Sequence, residues 1–133
     1  MIEQIGNYLT TSFAKEHADD VFLFTANNVV AKVNNTLHAD HKLVMGAGAA
    51  KSFLQLFPMS DYLFADRIAA IPRYGCFTVK YTNTRMSYRM PEFIGAFQTK
   101  YHWRDPSSLE LIEYSTNKLK EMAERNPHFT YHL

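Results

Sequence analysis

The segment Gly46-Ala47-Gly48 could bind an anion through its backbone. It follows a polar loop and precedes a predicted helix, so its N–H groups and the positive end of the helix dipole would face one ligand, ideally a pyrophosphate. The pattern matches neither G-x-G-x-x-G nor the Walker A sequence. A tight turn or close helix packing is therefore the alternative interpretation.

Asn34 and Asn35 lie about ten residues before the glycine segment and could recognise a sugar. They follow a predicted buried strand at residues 29–33, and short amide side chains can hydrogen-bond ribose hydroxyls held beside the glycine segment. The alternative is that the two amides only terminate the strand.

A polar and aromatic cluster at residues 98–104 contains the best candidate for covalent chemistry. Lys100 lies between a predicted strand and a predicted helix, where the sites of α/β proteins gather. Partial desolvation by Tyr101 and Trp103 would favour the neutral amine, which can attack a sugar C1 or a carbonyl carbon. An ordinary solvated lysine is the alternative interpretation.

The histidines and the cysteine do not favour a metal site. His38 and His41 lie in a predicted loop with no third ligand evident, so their spacing fixes no geometry. His102 could be catalytic, although a histidine between bulky neighbours is more often structural. Cys76 lies in a predicted strand and is interpreted as a small core residue. We therefore expect neither a metal nor a cofactor.

Alternating strands and helices must position these segments. Ile2, Ile5, Leu9 and Phe13 recur at helical spacing and predict a short amphipathic helix. The first two predicted strands are nearly continuous in apolar residues, which is typical of strands covered on both faces. Runs of β-branched and aromatic residues predict the strands at residues 21–24, 29–33, 74–82, 93–98 and 129–133.

Two further helices are predicted from their boundaries. One follows the glycine segment and ends near Phe57, because Pro58 disfavours the helical conformation in the residue before it. The other has Asp105 as its N-cap and Pro106 at its first helical position, and it ends near Arg125. Its predicted inward stripe is Leu109, Ile112, Thr116, Leu119 and Ala123.

Length and composition predict one globular domain over residues 1–133. Hydrophobic residues make up 47% and charged residues 20% of the chain, close to globular averages. The net charge of +1 argues against binding a nucleic-acid backbone through bulk charge, although a local basic patch stays open. A single cysteine, no basic-then-apolar leader and no long apolar run favour a cytoplasmic protein with no membrane partner.

Three blocks of the sequence resemble the macrodomain family, in the branch containing the terminal ADP-ribose protein glycohydrolase and the antitoxins that remove ADP-ribose from DNA. The block at residues 44–51 is similar to the branch's Met-Gly-x-Gly-Ile-Ala helix start, and the block at residues 99–104 is similar to its Thr-Lys-x-His-Trp-Arg sequence. The resemblance implies an α/β fold, a three-layer α/β/α sandwich with a mixed central sheet. The blocks are residues 29–35, residues 44–51 with Phe57-Pro58, and residues 99–104 with Ser107 and Leu109.

The resemblance also implies roles for individual residues. In that branch the Met-Gly-x-Gly loop wraps the diphosphate, an asparagine at a strand end lies near the distal ribose, and the lysine of the Thr-Lys pair attacks the ribosyl C1. An aspartate near the first strand contacts adenine, and Asp20 is the nearest equivalent. The implied nucleophile is Lys100. The implied ligand contacts are Asp20, Asn34, Asn35, Met45, Gly46, Ala47, Gly48, Ala49 and Thr99.

The sequence departs from the branch at its C-terminal end. The family continues past residues 129–133 into a second glycine-rich loop, which completes the phosphate site and, in the glycohydrolases, contains a catalytic aspartate. The 133 residues end before that loop. Either a C-terminal segment is omitted, or half of the site has been lost together with its general acid/base. No other Asp or Glu is an obvious substitute.

The sequence leaves several functions open. The first is a hydrolase that removes ADP-ribose from a protein or nucleic acid through Lys100, which the Thr-Lys block favours. The alternatives are a non-catalytic module that binds ADP-ribose, an ADP-ribose 1''-phosphate phosphatase, and an interaction protein that no longer binds nucleotide. The expected partners are ADP-ribose and an ADP-ribosylated protein or nucleic acid, and the sequence does not predict the oligomeric state.

Overall fold

The structure is a computed structural model that describes residues 2–3, 10–32, 41–82 and 89–133. The helices in these ranges are α1 (Thr11–Glu16), α2 (Gly48–Leu56), α3 (Ser60–Ala70) and α4 (Leu109–Arg125). The strands are β1 (Ile2–Glu3), β2 (Val21–Ala26), β3 (Val30–Lys32), β4 (His41–Leu43), β5 (Cys76–Lys80), β6 (Phe93–Gln98) and β7 (Tyr131–His132). None of the helices in the described ranges is both long and apolar enough to cross a membrane.

The main sheet has the strand order β1-β7-β2-β6-β5. Neighbouring strands are parallel, except that β5 runs antiparallel to β6. β2 lies at the centre and is almost entirely buried, as the apolar run at residues 21–24 predicts for a strand covered on both faces. Because β2 and β6 are parallel and in register from Phe22↔Ile94 to Ala26↔Gln98, their carboxyl ends lie side by side.

Helices cover both faces of this sheet. On one face, Phe53 of α2 and Phe64 of α3 pack with Phe24 of β2 in a hydrophobic cluster, to which α1 also contributes. On the other face, Leu119 of α4 packs in a second cluster with Leu23 of β2. The structure therefore confirms the predicted three-layer α/β/α arrangement around a mixed sheet.

The strand predicted at residues 29–33 does not lie in the main sheet. In the described residues β3 pairs with β4 in a separate antiparallel ribbon, and β3 is half-buried to exposed. The ribbon packs against α3, and Lys32 at the end of β3 is exposed. The prediction of a strand buried on both faces was wrong here, because a short apolar run does not specify which sheet it joins.

The N-terminal half of the chain differs from the predictions in two further places. Ile2 lies in β1, whereas Phe13 lies in α1, so the helix predicted from Ile2 to Phe13 is confirmed only around Phe13. Ile5 and Leu9 lie outside the described residues. The helix α3 was not predicted, although α2 does end at Leu56 before Phe57 as expected.

The start of α4 also differs from the prediction. Ser108 is the N-cap, and its hydroxyl oxygen accepts a hydrogen bond from the Leu111 N–H at 3.3 Å. Asp105 instead lies in an exposed turn, where its N–H donates to the His102 carbonyl. The inward stripe shifts accordingly to Leu111, Ser115 and Leu119, while Leu109 is 81% exposed.

We expect Ser108→Ala to lower the free energy of unfolding by about 1 kcal/mol, because it leaves an N–H group at the start of α4 without its cap. Chemical denaturation measures this loss directly. Asp105→Ala is the matched control and is expected to change stability little. A larger loss for Asp105→Ala than for Ser108→Ala would contradict the assignment of the cap.

Candidate functional site

A cavity of about 620 Å³ opens where the carboxyl ends of β2 and β6 meet the N-terminus of α2. Its volume lies within the usual range for small-molecule sites. Its position at the carboxyl ends of parallel strands is where α/β sheets commonly bind ligands. The lining residues are Thr25, Ala26, Asn27, Val44, Gly46, Ala47, Gly48, Ala49, Ala50, Thr99, Lys100, Trp103 and Ser107.

The glycine segment forms one wall of the cavity. Gly48 is the first residue of α2 and has φ +59°, a conformation that side chains disfavour. A Cβ placed on Gly46 or Gly48 would meet no heavy atom of the described residues within 4 Å, so the space beside both glycines is open. The segment can therefore lie close to a ligand through its backbone.

The N-terminus of α2 has the electrostatic character of an anion site. Its N-cap, Ala47, has no side-chain oxygen to accept from the first-turn N–H groups. The first turn of α2, which is fully described, also contains no acidic side chain that would neutralise the helix dipole. Gly48 and Ala49 are exposed to the cavity. An anion placed there would gain both hydrogen bonds and a favourable dipole.

The floor of the cavity contains Asn27, which directly follows β2 and is only 8% exposed. Its Oδ1 accepts from the Val29 N–H at 2.8 Å, and its Nδ2 lies 3.4 Å from the Val44 carbonyl oxygen. The Tyr74 hydroxyl donates to the Asn27 carbonyl at 2.6 Å. Asn27 is thus held by contacts to three other segments of the chain.

We expect Tyr74→Phe to destabilise the protein by about 1 kcal/mol, because it leaves the buried Asn27 carbonyl without the hydroxyl donor. Burial raises the pKa of Tyr74 well above its usual range, so the hydroxyl stays protonated as a donor at neutral and mildly alkaline pH. Thermal unfolding of the variant measures the loss. An unchanged melting temperature would show that this hydrogen bond adds nothing to stability.

The end of β6 is fixed by a buried amide. Gln98 is fully buried, its Oε1 accepts from the Gly75 N–H at 3.0 Å, and its Nε2 donates to the Pro72 carbonyl at 3.0 Å. Ser115 of α4 donates to the Gln98 carbonyl at 2.6 Å. Through these bonds the loop before β5 and the helix α4 both hold the residue that precedes the Thr99-Lys100 pair.

Thr99 and Lys100 follow Gln98 into the cavity. The Thr99 N–H donates to the Ala26 carbonyl at 3.0 Å, and its carbonyl accepts from the Ser108 N–H at 2.9 Å. Lys100 is half-buried and lines the cavity beside Thr99. The backbone of Thr99, the residue before the lysine, is thus tied to the carboxyl end of β2 and to the start of α4.

An exposed aromatic group lies next to Lys100. Trp103 lines the cavity although it is 47% exposed, and its indole stacks on His102 at 5.1 Å between ring centroids. The Arg104 guanidinium carbon lies 4.6 Å from the same ring centroid. Tyr101 is exposed, and its carbonyl accepts from the Asn28 N–H at 3.1 Å. Of the two aromatic neighbours expected to shield Lys100, Trp103 is the one that lines the cavity.

No family model and no curated protein matches the sequence. Solved structures do match. The macrodomain of Thermus aquaticus DarG aligns with a TM-score of 0.62 and 22% identity over 96% of this chain and 71% of that one. The macrodomain of Mycobacterium tuberculosis DarG gives 0.60 and 21% over 96% and 70%. The fold is that of a macrodomain.

A third structure of the same fold is a complex with a ligand. Thermosipho africanus DarTG in complex with ADP-ribose aligns with a TM-score of 0.63 and 18% identity, over 86% of this chain and 28% of that one. The macrodomain fold was the expectation drawn from the three sequence blocks, and these structural comparisons confirm it at the level of fold.

The macrodomain fold brings most of the expected site residues together. Met45 is buried in the core and does not line the cavity, because it extends from the segment between β4 and α2 toward the hydrophobic cluster. Asn34 and Asn35 lie outside the described residues. The expected residues that do line the cavity are Gly46, Ala47, Gly48, Ala49, Thr99 and Lys100.

Asp20 is not brought to the cavity. It precedes β2, whereas the cavity lies at the opposite, carboxyl end of that strand, about 20 Å away for a six-residue strand. Its Oδ2 contacts the buried Nε2 of His132 at 2.7 Å. Asp20 is therefore separated from the other expected ligand residues, and an adenine contact by Asp20 remains a prediction. Asp20 joins the start of β2 to β7.

The asparagine that lines the cavity is Asn27, which lies between the strands predicted at residues 21–24 and 29–33 and was given no role. The run at residues 21–24 was the better indicator of where the cavity lies, because the most continuously apolar strand becomes the central one. The residue at its carboxyl end then faces the ligand crevice. Ser107, which belongs to the third sequence block but was given no role, also lines the cavity.

The remaining candidates lie elsewhere. His41 is exposed on β4, and His38 lies outside the described residues. Within the described ranges no group of three or more His, Cys, Asp or Glu side chains is arranged to hold a metal. Cys76 is buried in β5, as expected of a core residue, and burial raises the pKa of its thiol to about 12. It therefore stays protonated and unreactive at neutral pH.

Proposed function

We propose that this macrodomain binds ADP-ribose in the cavity and releases it from an ADP-ribosylated protein or nucleic acid. The observation that carries the proposal is that one cavity combines an N-terminus of α2 that has no side-chain cap with a lysine that follows the end of β6. An anionic sugar phosphate matches both features. The complex of Thermosipho africanus DarTG with ADP-ribose, which has the same fold, supports this choice of ligand.

The ligand's diphosphate would lie against the wall formed by Gly46, Ala47, Gly48 and Ala49. Backbone N–H groups can donate there, and the absence of a side chain at Gly46 and Gly48 allows the phosphates a close approach. The sugar to be released would then lie toward Thr99 and Lys100. This orientation places the diphosphate at the helix dipole and the glycosidic bond at the amine.

Lys100 would act as a nucleophile in its neutral form. Its Nζ attacks C1 of the ribose, and the bond from C1 to the carrier breaks with its electron pair staying on the carrier, which takes up a proton. The resulting carbon–nitrogen adduct loses its own proton and is then hydrolysed by water. Free ADP-ribose and the amine are regenerated.

A binding module without turnover is the second candidate. Among the described residues, none of the side chains that line the cavity is a carboxylate. A hydrolase of this kind would gain from a general acid to protonate the carrier and a general base to activate water. A cavity without them can bind ADP-ribose and leave it intact.

The test is an incubation of the purified chain with an ADP-ribosylated oligonucleotide and, separately, with an ADP-ribosylated protein. Free ADP-ribose is quantified by chromatography over time. Release from either substrate supports the hydrolase. Saturable binding of ADP-ribose with no release from either would leave the binding module as the function.

A further inference from the structure

A second cleft lies on the outer edge of the main sheet, along β5. It has a volume of about 280 Å³ and is bounded by α3 on one face of the sheet and α4 on the other. We refer to it as the β5 cleft. Its lining residues are Arg67, Cys76, Phe77, Thr78, Lys118, Glu121, Met122 and Arg125.

We propose that the β5 cleft binds an extended acidic segment of a partner protein, which adds to the sheet as a strand beside β5. Within the described residues β5 ends the strand order and pairs on one side with β6. The backbone groups on its other side can therefore accept a further strand, which is a common mode of peptide recognition. The cleft lies along the Cys76–Thr78 part of that edge.

The charge of the cleft selects the chemistry of the partner. Three of its lining side chains are cationic, and one, Glu121, is anionic. The Glu121 Oε2 lies 3.6 Å from the Arg125 Nη2, so this carboxylate offsets the charge of Arg125. Arg67 and Lys118 are the other two cations of the cleft. The net charge of the whole chain is only +1, which makes the cleft a local concentration of positive charge. A carboxylate-rich segment is complementary to it.

The cations lie on both faces of the sheet, which restricts the sequence of the partner. Arg67 comes from α3, and its guanidinium carbon lies 5.5 Å from the centroid of Phe77. Lys118 and Arg125 come from α4 on the other face. Successive side chains of an added strand point to opposite faces. Two consecutive acidic residues would therefore meet Arg67 on one face and Lys118 on the other.

A second copy of this chain fits the cleft less well. Pairing two β5 edges would bring Arg67 and Lys118 of each copy toward the same cations of the other. Like charges placed across an interface oppose its formation. The same cations attract an acidic strand from a different protein.

The test uses a fluorescein-labelled peptide in which pairs of glutamates are separated by single valines, and it follows fluorescence anisotropy. We expect saturable binding below about 1 mM peptide, weakened by added salt. Arg67→Glu and Lys118→Glu should each weaken binding by about tenfold or more. Lys120→Glu is the matched control, since this exposed residue of α4 makes the same charge change outside the cleft.

A second peptide separates strand addition from simple charge attraction. Its valines are replaced by proline, which keeps every carboxylate but removes backbone donors and fits poorly in a sheet. We expect it not to bind. The proposal would be overturned if the proline peptide bound as tightly as the valine peptide, if Lys120→Glu weakened binding as much as Arg67→Glu, or if the valine peptide did not bind. Concentration-dependent dimerisation that Arg67→Glu abolishes would also overturn it. ADP-ribose is absent throughout, so the result does not depend on the proposed function.

Discussion

Replacing Lys100 by alanine is expected to reduce the release of ADP-ribose by at least about a thousandfold while changing its binding little. The reason is that the amine would form the covalent bond to the sugar, whereas the proposed diphosphate contacts come from the backbone of the segment before α2. The rate of release from an ADP-ribosylated substrate and the affinity for free ADP-ribose measure the two effects separately.

Lys100→Arg tests whether Lys100 acts as a nucleophile or only through its positive charge. A guanidinium keeps the positive charge near the ligand but is not deprotonated at neutral pH, so it cannot attack the sugar. We expect Lys100→Arg to bind ADP-ribose and to release none. Lys42→Ala, which removes an exposed cation from β4 outside the cavity, is the control and should retain the full rate. An unchanged rate in Lys100→Ala would reject the nucleophile.

The second large effect is expected for Gly46→Glu, which should weaken ADP-ribose binding by about a hundredfold or more. A Cβ on Gly46 meets no neighbouring atom within 4 Å among the described residues, so the fold should tolerate the change. The added carboxylate would then lie in the cavity, where it repels the diphosphate and occupies its space. Calorimetric titration of ADP-ribose measures the loss.

Ser52→Glu is the matched control for that variant. Ser52 is exposed in α2 and does not line the cavity, so a carboxylate there adds the same charge a few residues along the chain but outside the site. We expect it to bind ADP-ribose nearly as well as the parent. If Gly46→Glu binds as tightly as Ser52→Glu, the diphosphate does not lie against the glycine segment.

The elements beside the site were predictable where the sequence contains a strong local pattern. The continuous apolar run at residues 21–24 predicted a buried strand, and β2 is the central strand of the sheet. Pro58 predicted that the helix after the glycine segment ends near Phe57, because a proline restricts the residue before it, and α2 ends at Leu56. Both patterns depend on neighbouring residues alone, which is why they survive folding unchanged.

Predictions that depended on tertiary contacts were less successful. Residues 29–33 have the composition of a buried strand, yet β3 joins β4 in a ribbon that packs on α3. Asp105 and Ser108 are both suitable caps, and the backbone bond from Ser108 to Thr99 fixes the chain so that Ser108 takes that role. Contacts with residues distant in sequence therefore decide which of two suitable residues becomes the cap.

The residues of the cavity were predictable in part. The glycine segment and Lys100 were singled out from their residue types and positions, with the resemblance in support, and the structure places them in one cavity. Asn27 was missed because it lies between two predicted strands, and its position in the cavity depends on β2 being central. Asp20 was carried over from the resemblance, although it precedes the predicted strand at residues 21–24 and so lies at the amino end of β2.

The most direct test of the central claim is an NMR titration of ¹⁵N-labelled protein with ADP-ribose. We expect saturable shifts at the amides of Gly46, Ala47, Gly48, Ala49 and Lys100, with Thr78 and other residues of the β5 cleft unaffected. Saturable shifts confined to a surface away from these five amides, or no shifts at millimolar ADP-ribose, would contradict the assignment of the cavity as the ADP-ribose site.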